Sequence, residues 1–255
     1  MTSVAMMAHL VPAAGAVEED IVGPETPQRR TAVVTGAASG IGASVCRALE
    51  ETGWTVCGLD MRRAEHLTHS LVCDVSDPHA VRAALARVEH EVGPVGALVT
   101  AAGHYELVPF SEIDEDRWAR MMRVHVGGLL NPVREVLPGM IERGEGAIVA
   151  ISSELGIAGT ESEAHYSAAK GAVLGFVRSL GAEVAGRGVR VNAVAPGPTD
   201  TPLLPAPQRT PEYLASLPAR ALARPEDIAQ AVQFLVDEGG FCFGEVISPN
   251  MGAVI

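Results

Sequence analysis

Cysteine is scarce in this sequence of 255 residues, and its few cysteines are not arranged as a site. There is no C-x-x-C pair and no histidine nearby at the spacing of a zinc site. This pattern excludes a disulfide-stapled scaffold and a cysteine-ligated metal centre. We therefore expect no metal, and we expect buried or half-buried thiols in a reducing compartment; these are Cys46, Cys57, Cys73 and Cys242.

Positive charge is also in short supply. The chain carries 31 acidic against 19 basic residues, a formal net charge of -12, and no run of arginines longer than a pair. Binding to nucleic acid phosphates or to anionic membrane surfaces needs a basic face. We therefore exclude nucleic acid and membranes as partners and expect a small-molecule substrate.

Long apolar runs are missing as well. No stretch reaches the roughly 20 apolar residues of a membrane span, and the first 30 residues lack the basic start of a secretory signal. We therefore expect a cytoplasmic protein with a disordered extension over residues 1–30 and one domain over residues 31–255. With 47% hydrophobic residues, that domain can bury a sizeable core.

Lysine is almost absent. Lys170 is the only lysine, and the other 18 basic residues are arginine. The count alone leaves two explanations open, a bias of genome composition or a chemical need for an ammonium at this position.

What is present predicts an α/β protein. From residue 31 onward, short valine-rich runs alternate with segments of helical period, which favours a seven-stranded parallel sheet covered by helices on both faces. The predicted strands are Thr31–Thr35, Trp54–Leu59, Leu71–Cys73, Ala97–Thr100, Ala147–Ile151, Val189–Val194 and Glu245–Ile247. The predicted helices are Ile41–Glu51, Pro78–Glu91, Glu115–Arg143 with a kink at Pro132, Glu163–Ala185 and Pro225–Val236.

Two segments depart from this alternation. The link from Asp60 to Asp74 is too short for a full helix between the second and third strands. The proline-rich segment from Pro196 to Pro218 has few periodic residues, which predicts a mobile lid beside a site rather than a regular element.

The first strand runs into a glycine-rich turn, Thr35–Gly42, and then a helix begins. Glycines at positions 36, 40 and 42 let a pyrophosphate approach the backbone at the positive end of the helix, although a plain turn is the alternative. Asp60 ends the second strand, where a carboxylate can accept hydrogen bonds from the adenine ribose and would repel a 2′-phosphate. Unless Asp60 is only a solvated turn residue, the pattern favours NAD over NADP.

Tyr166 and Lys170 lie four residues apart on a predicted helix, so both project from one face. A phenol that acts as a base near neutral pH needs its pKa lowered from about 10, and two cations could lower it, Lys170 and an oxidised nicotinamide ring. Ser153, at the end of the fifth strand, could donate a hydrogen bond to the developing alkoxide. Each residue alone has an ordinary explanation, a surface pair or a cap, but their joint occurrence favours a catalytic site.

Together these motifs resemble those of the short-chain dehydrogenase/reductase family over about residues 31–255. The matching motifs are Thr35–Gly42, Asp74–Val75, Ala101–Gly103, Ser152–Ser153, Tyr166 with Lys170, and Asn192–Gly197 with Thr201. The resemblance implies a single-domain Rossmann fold, a doubly wound parallel sheet. It also implies Tyr166 as acid/base, Ser153 as carbonyl anchor, and Lys170 as the ligand of the ribose hydroxyls that lowers the pKa of the tyrosine.

For the cofactor, the resemblance implies that Asp74 and Val75 meet the adenine and that the segment Ala101–Gly103 lines the ribose. The resemblance also implies that Thr199 and Thr201 hold the carboxamide group of the nicotinamide ring. The whole predicted cofactor set is Gly36, Ser39, Gly40, Ile41, Gly42, Asp60, Asp74, Val75, Ala101, Ala102, Gly103, Tyr166, Lys170, Pro196, Gly197, Thr199 and Thr201.

Two positions depart from the family pattern. Thr100 stands where the family usually has asparagine, which puts in question how the fourth strand is tied to its neighbour. His125, seven positions after Trp118, stands where the family places a catalytic asparagine. It either only packs or takes over the proton relay, since imidazole can both give and accept a proton.

The predicted function is NAD-dependent hydride transfer between a secondary alcohol and its ketone. By the family layout, the substrate pocket draws on His104, Tyr105, Glu154, Leu155 and the loop Pro202–Pro218. If they do not simply face solvent, the polar residues His104 and Glu154 favour a polar or cyclic hydroxylated metabolite. The alternatives are an NADPH-dependent 3-oxoacyl-thioester ketoreductase and a nucleotide sensor without turnover; the family suggests a homotetramer.

Overall fold

The computed structural model describes residues 30–254, so the extension predicted over residues 1–30 lies outside the described residues except for Arg30. Its strands are β1 (Thr31–Thr35), β2 (Thr55–Asp60), β3 (His69–Val72), β4 (Val95–Thr100), β5 (Gly146–Ile151), β6 (Val189–Val194) and β7 (Val246–Ile247). Its α-helices are α1 (Gly40–Glu51), α2 (Pro78–Glu91), α3 (Glu115–Met122), α4 (Gly128–Arg143), α5 (Ala164–Val184), α6 (Pro211–Ser216) and α7 (Pro225–Asp237).

The seven strands form one parallel sheet in the order β3-β2-β1-β4-β5-β6-β7, which confirms the predicted fold class. The chain moves outward from β1 to β3 and then crosses back to place β4 on the other side of β1. The loops that follow β1 and β4 therefore diverge, and parallel α/β sheets bind their ligands in the crevice at such a point.

Hydrophobic side chains fill both faces of the sheet. Successive residues of a strand point to opposite faces, so Val33 joins one buried cluster and Val34 the other. Helices α1 and α7 cover the face of Val34, whereas α2, α4 and α5 cover the face of Val33. Burial on both sides explains why the strands are nearly continuous apolar runs.

The long helix predicted over Glu115–Arg143 is not continuous. A π-helical turn over Arg123–Gly127 separates α3 from α4, and Pro132, where a kink was predicted, lies inside α4. A π turn accommodates one extra residue in the helix, and such turns are frequent at functional sites. This turn contains His125.

The two irregular segments behave differently. Between β2 and β3 no helix forms, as predicted; a methyl group built on Gly58 of β2 would lie 2.6 Å from the Leu67 side chain, so this link packs directly on the sheet. The proline-rich segment was predicted to lack regular structure, and this is wrong: it contains a 3-10 turn, Ala206–Arg209, and helix α6. Thr210 caps α6 by accepting from the amide of Tyr213 (3.2 Å), and Pro211 occupies the first helical position, where its missing amide hydrogen costs nothing.

None of the helices within residues 30–254 has the length and apolar character of a membrane span.

Candidate active site

The glycine-rich turn after β1 forms a cradle with no room for side chains. Gly36 has a φ of 68°, and a Cβ built on it would lie 2.8 Å from the backbone of Ala102. A Cβ on Gly42 would lie 2.1 Å from the carbonyl oxygen of Gly36. The N-cap residue of α1, Ser39, makes no capping hydrogen bond with its side chain. Amides at the start of α1 can therefore bind an anion, as the positive end of a helix does.

The Asp60 carboxylate is hydrogen bonded to this turn. Its Oδ2 accepts a hydrogen bond from the amide of Ala38 (3.0 Å), and its Oδ1 accepts one from the amide of Arg62 (3.0 Å). The structure thus brings the acidic end of β2 beside the glycine turn. The glycine cradle, the uncapped helix start and this carboxylate fit the pyrophosphate and ribose of a nicotinamide adenine dinucleotide.

The ends of β1 and β4 are joined by the side chain of Thr35. Its Oγ1 accepts from the amides of Ala101 (3.1 Å) and Ala102 (3.2 Å). These bonds hold the segment Ala101–Gly103 against the glycine turn. The side chain of Thr35 on β1 therefore ties the end of β4 to its neighbour. The departure at Thr100 had raised this question, and the sequence did not predict the role of Thr35.

Asp74 and Val75 follow β3 on the same edge of the sheet. The Asp74 carboxylate accepts from the amide of Ser76 (2.8 Å), and the Val75 carbonyl accepts from the amide side chain of Asn131 (2.9 Å). Val75 is buried against α4, since a Cβ on Gly128 would lie 2.8 Å from its side chain.

A cavity of about 410 Å³ opens at the carboxyl ends of the strands. It brings together residues that are far apart in the chain. The predicted site residues that line it are Ile41, Ala101, Gly103, Tyr105, His125, Ser153, Glu154, Leu155, Tyr166, Lys170, Pro196, Gly197, Thr199 and Thr201. The predicted loop Pro202–Pro218 also lines it, through Leu203, Leu204, Pro205, Gln208, Tyr213 and Leu217. The predicted cofactor residues outside its lining are Gly36, Ser39, Gly40, Gly42, Asp60, Asp74, Val75 and Ala102. The first set joins the catalytic residues to one side of the cofactor crevice, and the second belongs to the glycine turn and the edge beyond it.

The segment after β6 forms the far wall. Thr199 Oγ1 donates to the carbonyl oxygen of Gly197 (2.8 Å), which folds the chain back on itself. A Cβ on Gly197 would lie 2.6 Å from the Asn250 carbonyl oxygen, so glycine allows the C-terminal segment to pack here. Thr201 lies against the glycine turn, with its side chain 3.3 Å from the position of a Cβ on Gly40.

Lys170 is buried, with 5% of its surface exposed. Its Nζ donates to the carbonyl oxygen of Ile151 (2.8 Å) and lies 5.7 Å from the centre of the Tyr166 ring. Burial lowers the pKa of Lys170 to about 7, because the enclosed site disfavours the ammonium. Ser152 holds the helix that carries Lys170, since its hydroxyl donates to the Lys170 carbonyl oxygen (2.9 Å).

The pKa of Tyr166 moves in the direction opposite to the expected one. Burial raises the pKa of its phenol, the Glu154 carboxylate raises it further, and the Ser153 hydroxyl acts against both. Lys170 does not offset these effects, because its ammonium is directed to a carbonyl oxygen and is itself weakened by burial. In the protein alone the phenol therefore holds its proton at neutral pH, and a phenolate needs further positive charge beside it.

Ser153 is hydrogen bonded to the next residue, Glu154. The Ser153 hydroxyl donates to Glu154 Oε2 (3.0 Å) and accepts from the amide of Leu155 (3.2 Å). Glu154 is 6% exposed, and burial raises the pKa of its carboxyl group to about 7. Its amide donates to the Pro196 carbonyl oxygen (3.0 Å), which joins the ends of β5 and β6.

The two predicted histidines are neighbours but occupy different positions. His125 lines the cavity, and its ring meets the Tyr166 ring edge-on at 5.4 Å between centres. His104 does not line the cavity; its ring lies 5.4 Å from that of His125, and its Nε2 is 3.9 Å from a Glu106 oxygen. The structure therefore does not place His104 on the substrate wall.

His125 is held in place by the backbone of His104. Its Nε2 lies 2.8 Å from the His104 carbonyl oxygen and 3.3 Å from the His104 amide nitrogen, and the tautomer decides which bond forms. Burial and the nearby Lys170 hold the pKa of His125 well below its usual range, so the ring is neutral at neutral pH. A Cβ on Gly103 would lie 2.5 Å from this ring, so glycine is needed there.

Sequence reasoning missed part of the cavity wall. Glu163 lines the cavity, and its Oε1 accepts from the Tyr105 hydroxyl, which in turn accepts from Gln208 Nε2 (3.2 Å). Ala253 and Val254 close the cavity from the C-terminal segment. An acidic residue directly before a helix with two catalytic candidates was the available signal for Glu163; nothing local marked the C-terminal pair.

Comparison with known proteins agrees with this geometry. A family model described as short chain dehydrogenase matches residues 30–211. The chain is 40% identical over 239 residues to cis-4-hydroxycyclohexanecarboxylate dehydrogenase of Sinomonas cyclohexanicum, covering 88% of this chain and 96% of that protein. It is 36% identical over 235 residues to acetoacetyl-CoA reductase of Rhizobium meliloti (strain 1021), covering 88% and 98%.

A solved structure has the same fold. The crystal structure of gox2181 superposes with a TM-score of 0.83 at 30% identity, covering 88% of this chain and 95% of that one. Three findings agree: the matched family model, the seven-stranded sheet, and the cavity shared by Tyr166, Lys170 and Ser153. This chain therefore belongs to the short-chain dehydrogenase family of oxidoreductases, which bind a nicotinamide cofactor.

Proposed function

We propose that this protein is an NAD-dependent dehydrogenase that interconverts a secondary alcohol and its ketone on a polar or cyclic hydroxylated metabolite. One observation carries the proposal: a single cavity is lined by the predicted catalytic residues Ser153, Tyr166 and Lys170 and by Ile41 and Ala101 from the predicted cofactor crevice. A substrate carbon can therefore lie between the proton-transferring group and the cofactor.

When bound, the nicotinamide cofactor supplies the hydride acceptor or donor. The Tyr166 hydroxyl gives a proton to the substrate oxygen in reduction and takes one in oxidation. Ser153 holds that oxygen with its hydroxyl. In the protein alone, Lys170 does not offset the effects of burial and Glu154 on the pKa of Tyr166. Its proposed role is to bind the ribose hydroxyls of the cofactor.

NAD is the proposed cofactor because Asp60 lies where an adenine ribose would approach. Its carboxylate already faces the glycine turn through the amide of Ala38. A ribose hydroxyl can donate to a carboxylate, whereas a 2′-phosphate would be repelled by it. The residues proposed to hold the rest of the dinucleotide are the remaining members of the predicted set, from Gly36 to Thr201.

Proton movement beyond Tyr166 is proposed to involve His125. Its neutral ring lies beside the tyrosine, and its Nδ1 is buried without a hydrogen-bond partner among the described residues. A buried polar atom without a partner is costly unless a ligand or an ordered water satisfies it. The His125 ring could therefore exchange a proton with a water molecule that binds at Nδ1.

The test is a screen of secondary alcohols and ketones with NAD+ and NADH, followed by nicotinamide absorbance. Turnover of cyclic or polyhydroxylated alcohols with NAD+ is the expected result. Absence of turnover on every alcohol and ketone, in this screen and in the same screen with NADP+ and NADPH, would contradict an enzymatic role and favour a nucleotide sensor.

A second candidate function is a ketoreductase acting on a 3-oxoacyl thioester. It is favoured by the relative named acetoacetyl-CoA reductase at 36% identity. NADPH with acetoacetyl-CoA is the discriminating assay. A specificity constant above that of the best NAD-linked alcohol would favour this reading over the first.

The proposed assembly is a homotetramer in the cytoplasm. Large apolar side chains are exposed near the start of α3, where Phe110 is 76% exposed, and before β7, where Phe241 is 76% exposed. Burial of such side chains between subunits is favourable. Light scattering coupled to size exclusion measures the subunit number directly.

A further inference from the structure

The cavity holds an acidic side chain whose bonding is incomplete. Glu163 is 2% exposed and lines the cavity. Gln208 donates to the Tyr105 hydroxyl, so the hydroxyl hydrogen of Tyr105 is left to donate to Glu163 Oε1. The other carboxylate oxygen, Oε2, is buried and has no partner among the described residues. One acceptor of a side chain that lines the cavity therefore lacks a hydrogen bond among the described residues.

A second carboxyl group lines the same cavity. Glu154 is buried beside Ser153, which donates to its Oε2. Among the described residues that line the cavity, the only lysine or arginine is Lys170, and its ammonium is bonded to the Ile151 carbonyl oxygen. His125, the one histidine in that lining, is neutral because burial lowers its pKa. The wall thus offers acceptors and negative charge, but no cation free to pair with an anion.

We propose that the cavity selects substrates that carry, besides the reacting alcohol, a second hydrogen-bond donor, a hydroxyl or an ammonium group, which binds Glu163 Oε2. Substrates with a carboxylate at that position are rejected. The inference rests on the proposed dehydrogenase function and narrows its substrate class. It also separates this chain from its relative at 40% identity, whose name specifies a hydroxycyclohexanecarboxylate.

The physical basis is the cost of unpaired groups in a closed site. A donor on the substrate satisfies a buried oxygen that otherwise lacks a partner, and sites built to bind such a group discriminate strongly against analogues without it. A carboxylate would bring a further negative charge beside Glu154 and Glu163 and lose its hydration without gaining a free cation of the protein. Specificity would then come from repulsion as much as from attraction.

The experiment compares four ring alcohols that differ only in the group at carbon 4. They are cyclohexanol, cyclohexane-1,4-diol, 4-aminocyclohexanol and 4-hydroxycyclohexanecarboxylate, assayed with NAD+ at mildly alkaline pH, above the pKa of about 7 of Glu154. We expect kcat/KM for the diol and the amino alcohol to exceed that for cyclohexanol by about tenfold or more. We expect the carboxylate to be the poorest of the four.

The variant Glu163→Gln removes the charge. We expect the ratio of kcat/KM for the amino alcohol to that for the carboxylate to fall by about tenfold or more in this variant. Glu161→Gln is the matched control, because Glu161 is exposed two residues earlier and does not line the cavity. That ratio should be the same in the control as in the unmodified protein.

Binding gives a readout that does not depend on turnover. Calorimetric titration of the same four compounds into the NADH-saturated protein should give the same ranking. A carboxylate that binds or reacts best, or an unchanged ratio in a folded Glu163→Gln protein, would overturn the inference while leaving the dehydrogenase function intact. If none of the four is oxidised, the calorimetric ranking still decides the inference, and the broader screen decides the function.

Discussion

The buried ammonium of Lys170 donates a hydrogen bond of 2.8 Å to the carbonyl oxygen of Ile151, at the end of β5. This bond orients the amine toward the backbone, and burial lowers its pKa from 10.5 to about 7. Because the unfolded chain keeps the higher pKa, burial destabilises the folded protein. The penalty is absent above the unfolded pKa, grows as the pH falls, and is complete below about pH 7.

Replacement of Lys170 by methionine should therefore stabilise the fold while abolishing turnover. The free energy of unfolding should rise by about 1–3 kcal/mol at neutral pH, less than the full pKa shift implies because the Ile151 carbonyl loses its partner. Denaturant unfolding at neutral pH and again near pH 10 measures the effect. The gain should shrink at the higher pH; a loss of stability at neutral pH would contradict the pKa assignment.

Replacement of Tyr166 by phenylalanine should abolish turnover and leave cofactor binding intact. The change removes only the hydroxyl that transfers the proton, a contribution of about 10²–10⁴-fold in rate. Steady-state kinetics and fluorescence titration with NADH measure the two properties separately. Comparable activity in the variant would remove Tyr166 from the mechanism.

Asp60 should set the preference for NAD. We expect the unmodified protein to favour NAD over NADP by about tenfold or more in kcat/KM, because the carboxylate repels a 2′-phosphate. Asp60→Ala should narrow that ratio by about tenfold. Glu65→Gln, an exposed change in the same link, is the control and should leave it unaltered. Equal use of both cofactors by the unmodified protein would refute the role of Asp60.

Glu154 should impose a pH dependence through Ser153. When ionised, Glu154 takes the hydroxyl hydrogen of Ser153, and when protonated it leaves that hydrogen free for the substrate oxygen. Since burial raises the pKa of Glu154 to about 7, ketone reduction should increase as the pH falls through this value. Lys170 titrates in the same window, and Tyr166 and Glu163 also face Glu154.

The variant Glu154→Gln isolates this contribution. Its amide can donate to Ser153 as the protonated acid does, so the inflection due to Glu154 should disappear while that due to Lys170 stays. The measurement is the pH profile of kcat/KM in both proteins. Superimposable profiles would mean that Glu154 does not control the serine.

His125 should transfer protons rather than only pack. His125→Asn should keep activity within about tenfold, because an amide can also hold a relay water, whereas His125→Leu should lose about 10²-fold or more. The leucine variant should also show a larger solvent deuterium isotope effect. Full activity in that variant would reduce the ring to a packing role.

Much of the fold follows from local patterns. The valine-rich runs predicted all seven strands to within two residues at each end, because a parallel sheet buried on both faces demands continuous apolar residues. Turn chemistry located the glycine cradle, and helical spacing placed Tyr166 and Lys170 on one face. The break in the long helix was missed, since a π turn has no clear signature in a single sequence.

The candidate site, like the fold, has features that the sequence predicted and features that only the tertiary structure decided. Residue identity alone determined the kinds of chemistry available: a tyrosine and the only lysine of the chain one helical turn apart, a serine at a strand end, and glycines at a turn where an anion can approach the backbone. Tertiary structure decided the environment of each group. It buried Lys170 and Glu154, directed the lysine to Ile151, and moved His104 behind His125. It also brought Glu163, Tyr105 and Gln208 together. Desolvation and pairing depend on what neighbours a group in space, which no spacing along the chain contains.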